Sequence, residues 1–211
     1  MSWRQLGRSD LGWLALVDRG FRATVLVRSS DMRVIGGSFK GRRLDSPKWL
    51  GLRPTSERLR ETLFDVLGDR VGSVQFVDGF AGTGAVGIEA LSRGAAHVTF
   101  VETDARAVRL IKTNLRHCAL NAQYTIVDVP MQRAWRSIKN RRCDVIFLDP
   151  PYEYVDLESV LASAGRQLTE DGLVVLEHAA RRKIVENVKG LWRRRLVSAG
   201  DSALSIYCSK A

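Results

Sequence analysis

Cysteine and histidine are scarce in this 211-residue chain, and neither is spaced for chemistry. The three cysteines, Cys118, Cys143 and Cys208, are an odd number, far apart and without a C-x-x-C pair. That argues against a disulfide framework or a zinc cluster and suits a reducing cytoplasm. The three histidines lack metal-ligand spacing, so no metal is expected. Long apolar runs are missing too: none approaches the ~20 residues that span a bilayer. The longest, Leu11 to Val17, is at the short limit for a signal-peptide core, with no small-x-small cleavage site before Asp18 and Arg19. Repeats and low-complexity segments are absent. What is there, 45% hydrophobic and 27% charged, is the composition of a globular chain that can bury a core.

The net charge of +10 is unevenly spread. Residues 32–60 hold Arg33, Lys40, Arg42, Arg43, Lys48, Arg53, Arg58 and Arg60 against Asp45 and Glu57 alone. A basic cluster on an otherwise balanced domain points to a polyanion, most simply nucleic acid. Charge alone leaves a solvated basic face equally open. Residues 1–31 read as a poorly ordered extension, with Met32 a candidate functional start. Residues 32–70 form a basic hairpin and helix, and 71–211 a larger domain.

In the first of these, Arg33–Ile35 and Ser38–Leu44 read as short strands around Gly36-Gly37, and Arg53-Pro54-Thr55 opens a helix to Leu67 with Thr55 as candidate N-cap. Strand-like runs then follow at Val74–Asp78, His97–Glu102, Tyr124–Val127, Asp144–Leu148 and Leu173–Glu177. Helical patterns separate or follow them at 85–93, 105–117, 129–138, 156–168 and 180–188. The last pair, Leu191–Ser198 and Ala203–Ser209, has only a short link and must form an antiparallel hairpin. The expected fold is therefore α/β: a doubly wound, mostly parallel seven-stranded sheet ending in that hairpin. Such sheets bind ligands beyond the carboxyl ends of their strands, where strand order reverses.

Gly82-Thr83-Gly84-Ala85-Val86-Gly87 spells G-x-G-x-x-G, and Glu102 lies twenty positions after Gly82, as in a dinucleotide site. Spacing argues against that. Gly79, Phe80 and Ala81 intervene between the strand and Gly82, and Asp78 at the loop's head would repel a pyrophosphate. Asp78 could instead accept hydrogen bonds from a cationic amino-acid group. That suits S-adenosylmethionine, which carries a sulfonium and an ammonium but no phosphate. Glu102, beside Thr103, can accept from ribose hydroxyls, and Asp128, beside Val129, is placed for the adenine amine.

Asp149-Pro150-Pro151-Tyr152 follows the apolar run "DVIFL". A carboxylate and a proline-fixed carbonyl can both accept from one exocyclic NH₂. Two acceptors favour pyramidalisation of an aromatic amine and free its lone pair to attack the sulfonium methyl. Tyr152 can stack on an extruded base. Methylation of DNA adenine, methylation of a protein glutamine, or RNA binding without catalysis remain open at this point.

Together "MRVIGGSFKGRRL", "RPTSERLRETLFDVL", "VDGFAGTGAVGIEALSRGA" and "DVIFLDPPY" resemble the RsmD-type 16S ribosomal RNA guanine-N2 methyltransferases, over residues 32–211. The resemblance implies a class I methyltransferase fold with S-adenosylmethionine as donor. The acceptor would be one guanine of small-subunit RNA, free or in an assembled subunit, and the expected enzyme is a cytoplasmic monomer. It also implies that Pro54 and Thr55 lie near the cofactor. Arg33, Lys40, Arg42, Arg43, Arg53 and Arg58 become the candidate RNA contacts.

Overall fold

The computed structural model describes residues 32–49, 51–52, 54–138 and 142–209. The expectations for residues 1–31 and for Arg53 lie outside them. The N-terminal helix α1 (Glu57–Leu67) precedes a βα alternation: β1 (Gln75–Gly79), α2 (Ala85–Ser92), β2 (His97–Val101), α3 (Ala105–His117) and β3 (Tyr124–Val127). It continues with α4 (Met131–Ile138), β4 (Cys143–Leu148), α5 (Leu157–Gly165) and β5 (Leu168–Ala179). The chain ends in β6 (Asn187–Val188), β7 (Leu191–Ala199) and β8 (Ser202–Cys208). The sheet order is β3-β2-β1-β4-β5-β8-β7-β6. The first five strands are parallel, and β8, β7 and β6 join antiparallel. Strand order reverses between β1 and β4. Among the described residues no helix is long and apolar enough to cross a membrane.

Period-two alternation builds a core on each side of the sheet. Phe76, Val145, Phe147, Val175, Leu204 and Ile206 face the layer of α1, α2 and α3. Val77, Ile146, Leu148, Val174, Leu176 and Tyr207 face α4 and α5. The first core also takes in Met32, Val34 and Leu44, so the N-terminal segment is packed as part of it.

Three local expectations are corrected. The segment 180–188 is not a helix; it turns and then forms β6, which makes the sheet eight-stranded rather than seven. Its backbone is claimed by tertiary partners: Tyr207 Oη donates to the Val185 carbonyl (2.7 Å), and the Arg193 backbone N–H to that of Glu186 (2.8 Å). Ser38–Leu44 makes no strand. Gly37–Phe39 is a 3-10 turn, and the arms on either side meet in one bridge, Arg33 with Arg43, and in backbone hydrogen bonds from Val34 to Arg42, Gly41 to Val34 and Leu44 to Met32. Donors nearer the tip turn to α2. Ile35 and Gly36 give their N–H groups to the Glu89 carboxylate (2.7 Å each), and Phe39 gives its own to Ser92 Oγ (2.9 Å). Finally, the N-cap of α1 is Ser56, whose hydroxyl accepts from the Leu59 N–H, and not Thr55. That frees Thr55 for another task.

Glu89 is fully buried, and it also meets Arg60 (3.5 Å) and Arg93 (2.9 Å). Arg60 is 1% exposed; burial pulls its pKa below the ordinary value against the attraction of Glu89. One carboxylate thus ties the basic segment, α1 and α2 together. Removing it leaves a buried guanidinium uncompensated, so Glu89→Ala should lose about 3–5 kcal/mol of stability. Urea denaturation of the wild type and the variant measures this; a loss under about 1 kcal/mol would show that the network contributes little.

Candidate active site

The carboxyl ends of β1, β2, β4 and β5 converge where strand order reverses, and each carries an acid: Asp78, Glu102, Asp149 and Glu177. Asp78 is 1% exposed, and its Oδ2 accepts from the Gly87 N–H (2.8 Å) in the first turn of α2. A side chain at Gly87 would collide with Phe100, its Cβ only 2.3 Å from the ring, so glycine alone lets α2 sit this close to β2. Gly84, at the N-cap of α2, has φ of 75°, the left-handed region that glycine tolerates. Between them the two glycines let the loop turn sharply and present N–H groups inward. Phe80 also takes a positive φ, 62°, and meets the Tyr154 ring edge-on at 5.2 Å.

Glu102 closes the loop from the other side. Its Oε2 accepts from the Gly82 N–H (2.8 Å), and its Oε1 from those of Thr103 (2.7 Å) and Asp104 (2.9 Å). Three backbone donors therefore already occupy a carboxylate with about four acceptor sites. Its part in shaping the loop is as visible as the ribose-binding part expected from sequence. Thr103 and Asp128 are exposed, and Val129 packs half-buried against the second core.

Asp149 extends the β1–β4 pairing, its N–H reaching the Gly79 carbonyl (3.2 Å). Thr55 Oγ1 donates to Asp149 Oδ2 (3.0 Å), which brings the Pro54-Thr55 segment, 94 positions away in sequence, onto the Asp-Pro-Pro-Tyr loop. Pro150 is buried, Pro151 is exposed, and Tyr152 is 46% exposed with its hydroxyl 3.4 Å from Ser202 Oγ.

Two participants went unnoticed in the sequence. Arg182 donates from Nη1 to the Tyr152 carbonyl and from Nη2 to that of Tyr154, both at 2.8 Å, and so clamps the loop. It lies in the segment misread as helix. Glu177 is 3% exposed and stands beside Asp149, one position beyond the Leu148–Leu176 pairing of β4 and β5. A lone acid ending the apolar run "LVVLE" was the available signal, since the same position singles out Asp78 and Asp149.

Crowding of acids away from water shifts their protonation. Burial chiefly, with the charge of Glu102, raises the Asp78 pKa to about 8, against the Gly87 hydrogen bond. Burial first, then the adjacent Glu177 carboxyl, holds Asp149 well above the usual carboxylate range; the Thr55 hydroxyl opposes this.

The basic candidates are spread out. Arg33 pairs with Glu57 (3.1 Å), and Arg43, Arg58 and Lys40 are exposed. Arg42 donates to the His117 carbonyl (3.1 Å), at the far end of the 13-residue α3. Near that end Asn114 Nδ2 donates to the Thr83 carbonyl (2.9 Å), so α3 joins the surface around Arg42 to the glycine loop.

Comparison with known proteins matches residues 32–208 to the family described as Conserved hypothetical protein 95. The putative rRNA methyltransferase YlbH of Bacillus subtilis is 36% identical over 180 residues, covering 83% of this chain and 98% of that protein. Ribosomal RNA small subunit methyltransferase D of Escherichia coli K12 is 34% identical over 186 residues, covering 87% and 92%. The solved structure of the putative methyltransferase yhhF from Escherichia coli superposes with a TM-score of 0.72 at 31% identity, covering 85% and 98%.

Asp78 supplies a test by pH. In the unfolded chain it titrates near 4, in the native state near 8, so the native state holds an extra proton between those values. Its contribution to stability is full below about pH 4 and gone by about pH 8. Asp78→Asn keeps an acceptor for Gly87 and has no such proton. Thermal unfolding across this range should be flatter in the variant by up to about 1.4 kcal/mol per pH unit; parallel curves would show that Asp78 is ionised in the native protein.

Proposed function

Because the chain belongs to the Conserved hypothetical protein 95 family, that of the RsmD-type ribosomal RNA methyltransferases, we propose that it methylates the exocyclic N2 amine of a guanine in 16S ribosomal RNA, with S-adenosylmethionine as donor. The observation that carries this reading is Asp149, held by Thr55 at the strand-order switch and followed by Pro150, Pro151 and Tyr152.

The residues present fit the donor. Each of β1, β2, β4 and β5 ends with a carboxyl side chain, and carboxylates attract a sulfonium and an ammonium and repel a pyrophosphate. When bound, S-adenosylmethionine supplies an electrophilic methyl group on sulfur. Asp78 and the loop from Gly79 through Gly84 face its amino-acid part, and Glu102, Thr103, Asp128 and Val129 its nucleoside. A cation beside Asp78 also favours ionisation of that acid, offsetting part of the cost of burying it.

For the acceptor, Asp149 and the Pro150 carbonyl take the two N–H groups of the guanine amine and orient its lone pair toward the methyl. The exposed ring of Tyr152 stacks on the extruded base, and Arg182 keeps the loop carbonyls in position. Arg33, Lys40, Arg42, Arg43 and Arg58 extend a phosphate-binding footprint over the surface beyond the site, a span suited to folded RNA rather than to a small molecule or a peptide.

Labelled methyl transfer to free 16S RNA, to undermethylated small subunits, to DNA and to protein tests the reading. Label should enter the N2 of guanine, in RNA or subunits only. Asp149→Ala should abolish most turnover with the fold intact, because its acceptor role matters chiefly as the amine becomes nucleophilic. Tyr152→Phe should be milder than Tyr152→Ala. Label in adenine N6 or in a glutamine would assign the enzyme to a different acceptor.

Salt dependence tests the footprint separately. Each phosphate contact contributes about 0.7 to the log–log slope of affinity against salt for single-stranded RNA. Replacing both Arg42 and Arg43 with Ala should flatten that slope by roughly one to one and a half units and leave cofactor affinity unchanged. An unaltered slope with normal RNA affinity would make this end of the patch a solvated face.

A further inference from the structure

Glu177 stands where a charged side chain is costly. It ends the apolar run of β5 at 3% exposure, and pairing of Leu148 with Leu176 puts Asp149 and Glu177 at the next register position of two parallel neighbours. There Oε2 of Glu177 is buried with no hydrogen-bond partner, the situation that native interiors avoid. Two adjacent carboxylates can only repel each other, and a proton between them would supply the missing bond. Methyl transfer as described above uses Asp149 and leaves Glu177 with no part.

We propose that Glu177 is a positioning residue for the transfer: it shares one proton with Asp149 in a buried carboxyl pair, so that Asp149 remains an acceptor for the target amine. This rests on the methyl-transfer reading of the site. Asp149 already receives the Thr55 hydroxyl on Oδ2. When the amine donates to Asp149 as well, both donors favour its anionic form, and the shared proton stays with Glu177. On transfer the nitrogen lone pair forms the N–CH₃ bond, and the S–CH₃ bond breaks with its electrons retained by sulfur. The nitrogen then loses a proton to Asp149. The pair now holds two protons and returns one to water as the product leaves, which is the single proton that the net reaction releases.

The other groups facing the pair are consistent with this. Asp78 on β1 raises Asp149 further where it ionises, and is itself raised by the charge of Glu102. His178, next along β5, is bonded to Ser205 Oγ and the Ala179 carbonyl (2.9 Å each), and Arg182 is committed to the loop carbonyls. These neighbours make a shared proton the nearest relief for the two carboxylates.

The test is the pH dependence of single-turnover methyl transfer in wild type, Glu177→Gln and Glu177→Ala. The wild type should give a bell, limited on the acid side by a second proton on the pair and on the alkaline side by loss of the shared one. Glu177→Gln keeps an N–H donor toward Asp149; it should retain most of kcat at the optimum and lose the alkaline limb. Glu177→Ala should lose on the order of ten- to a hundredfold in kcat, the size of one hydrogen bond to a charged group, with KM little changed. A wild-type profile with no alkaline limb, or one that Glu177→Gln leaves unchanged, overturns the inference. So does a uniform loss in both variants that tracks lowered melting temperatures, the sign of a purely structural role. If the wild type methylates nothing, the functional reading fails, and the pair is still decided without turnover. Infrared difference spectra between wild type and Glu177→Gln at neutral pH should contain the stretch of one protonated carboxyl, and its absence overturns the shared proton.

Discussion

Four acids stand at the ends of four neighbouring strands, Asp78 and Glu177 buried and Glu102 and Asp149 half-buried, placed there by the parallel pairing of β1 with β2 and β4 and of β4 with β5. The arrangement opposes electrostatics, since like charges in a poorly solvated site raise one another's pKa. It persists because three of the acids are given donors: Gly87 for Asp78, the Gly82 loop for Glu102, and Thr55 for Asp149.

The N-terminal segment matters to this site less by its charge than by its path. Glu89 collects the N–H groups of Ile35 and Gly36 and the guanidinium groups of Arg60 and Arg93, fixing the segment and α1 against α2. With α1 fixed and Ser56 capping it, Thr55 is delivered to Asp149. Packing around Glu89 therefore sets the hydrogen bond at Asp149. Arg33, Arg42, Arg43 and Arg58 themselves remain on the surface.

Most of the scaffold was legible in sequence because its signals are local and repeat. Short continuous apolar runs such as Val145–Leu148 and Leu173–Leu176, and the stripe of α1, each predict their element without reference to the rest. The short link before Ser202 forces a hairpin whatever surrounds it. Segment 180–188 failed for the opposite reason. Its few apolar residues, Ile184, Val185 and Val188, gave a weak helical pattern, and carbonyl groups needed by Tyr207 and Arg193 drew the chain away from helix. The expected second N-terminal strand failed likewise: Phe39 gives its N–H to Ser92, and Lys40 and Arg42 give theirs to carbonyls of the turn, which leaves Gly41 and Leu44 to reach the neighbouring arm at Val34 and Met32.

By itself the sequence determined the alternation of strands and helices, the long loop after β1 with Asp78 at its head, and the Asp149-Pro150-Pro151-Tyr152 motif at the end of a buried strand. These depend on residue type, spacing and periodicity over a few turns of chain. Only the tertiary structure decided which distant groups meet: Thr55 with Asp149, Arg182 with the Tyr152 and Tyr154 carbonyls, and Glu177 with Asp149. Contacts between residues 28 to 94 positions apart follow from strand register and from the packing of α1, and no local pattern records either.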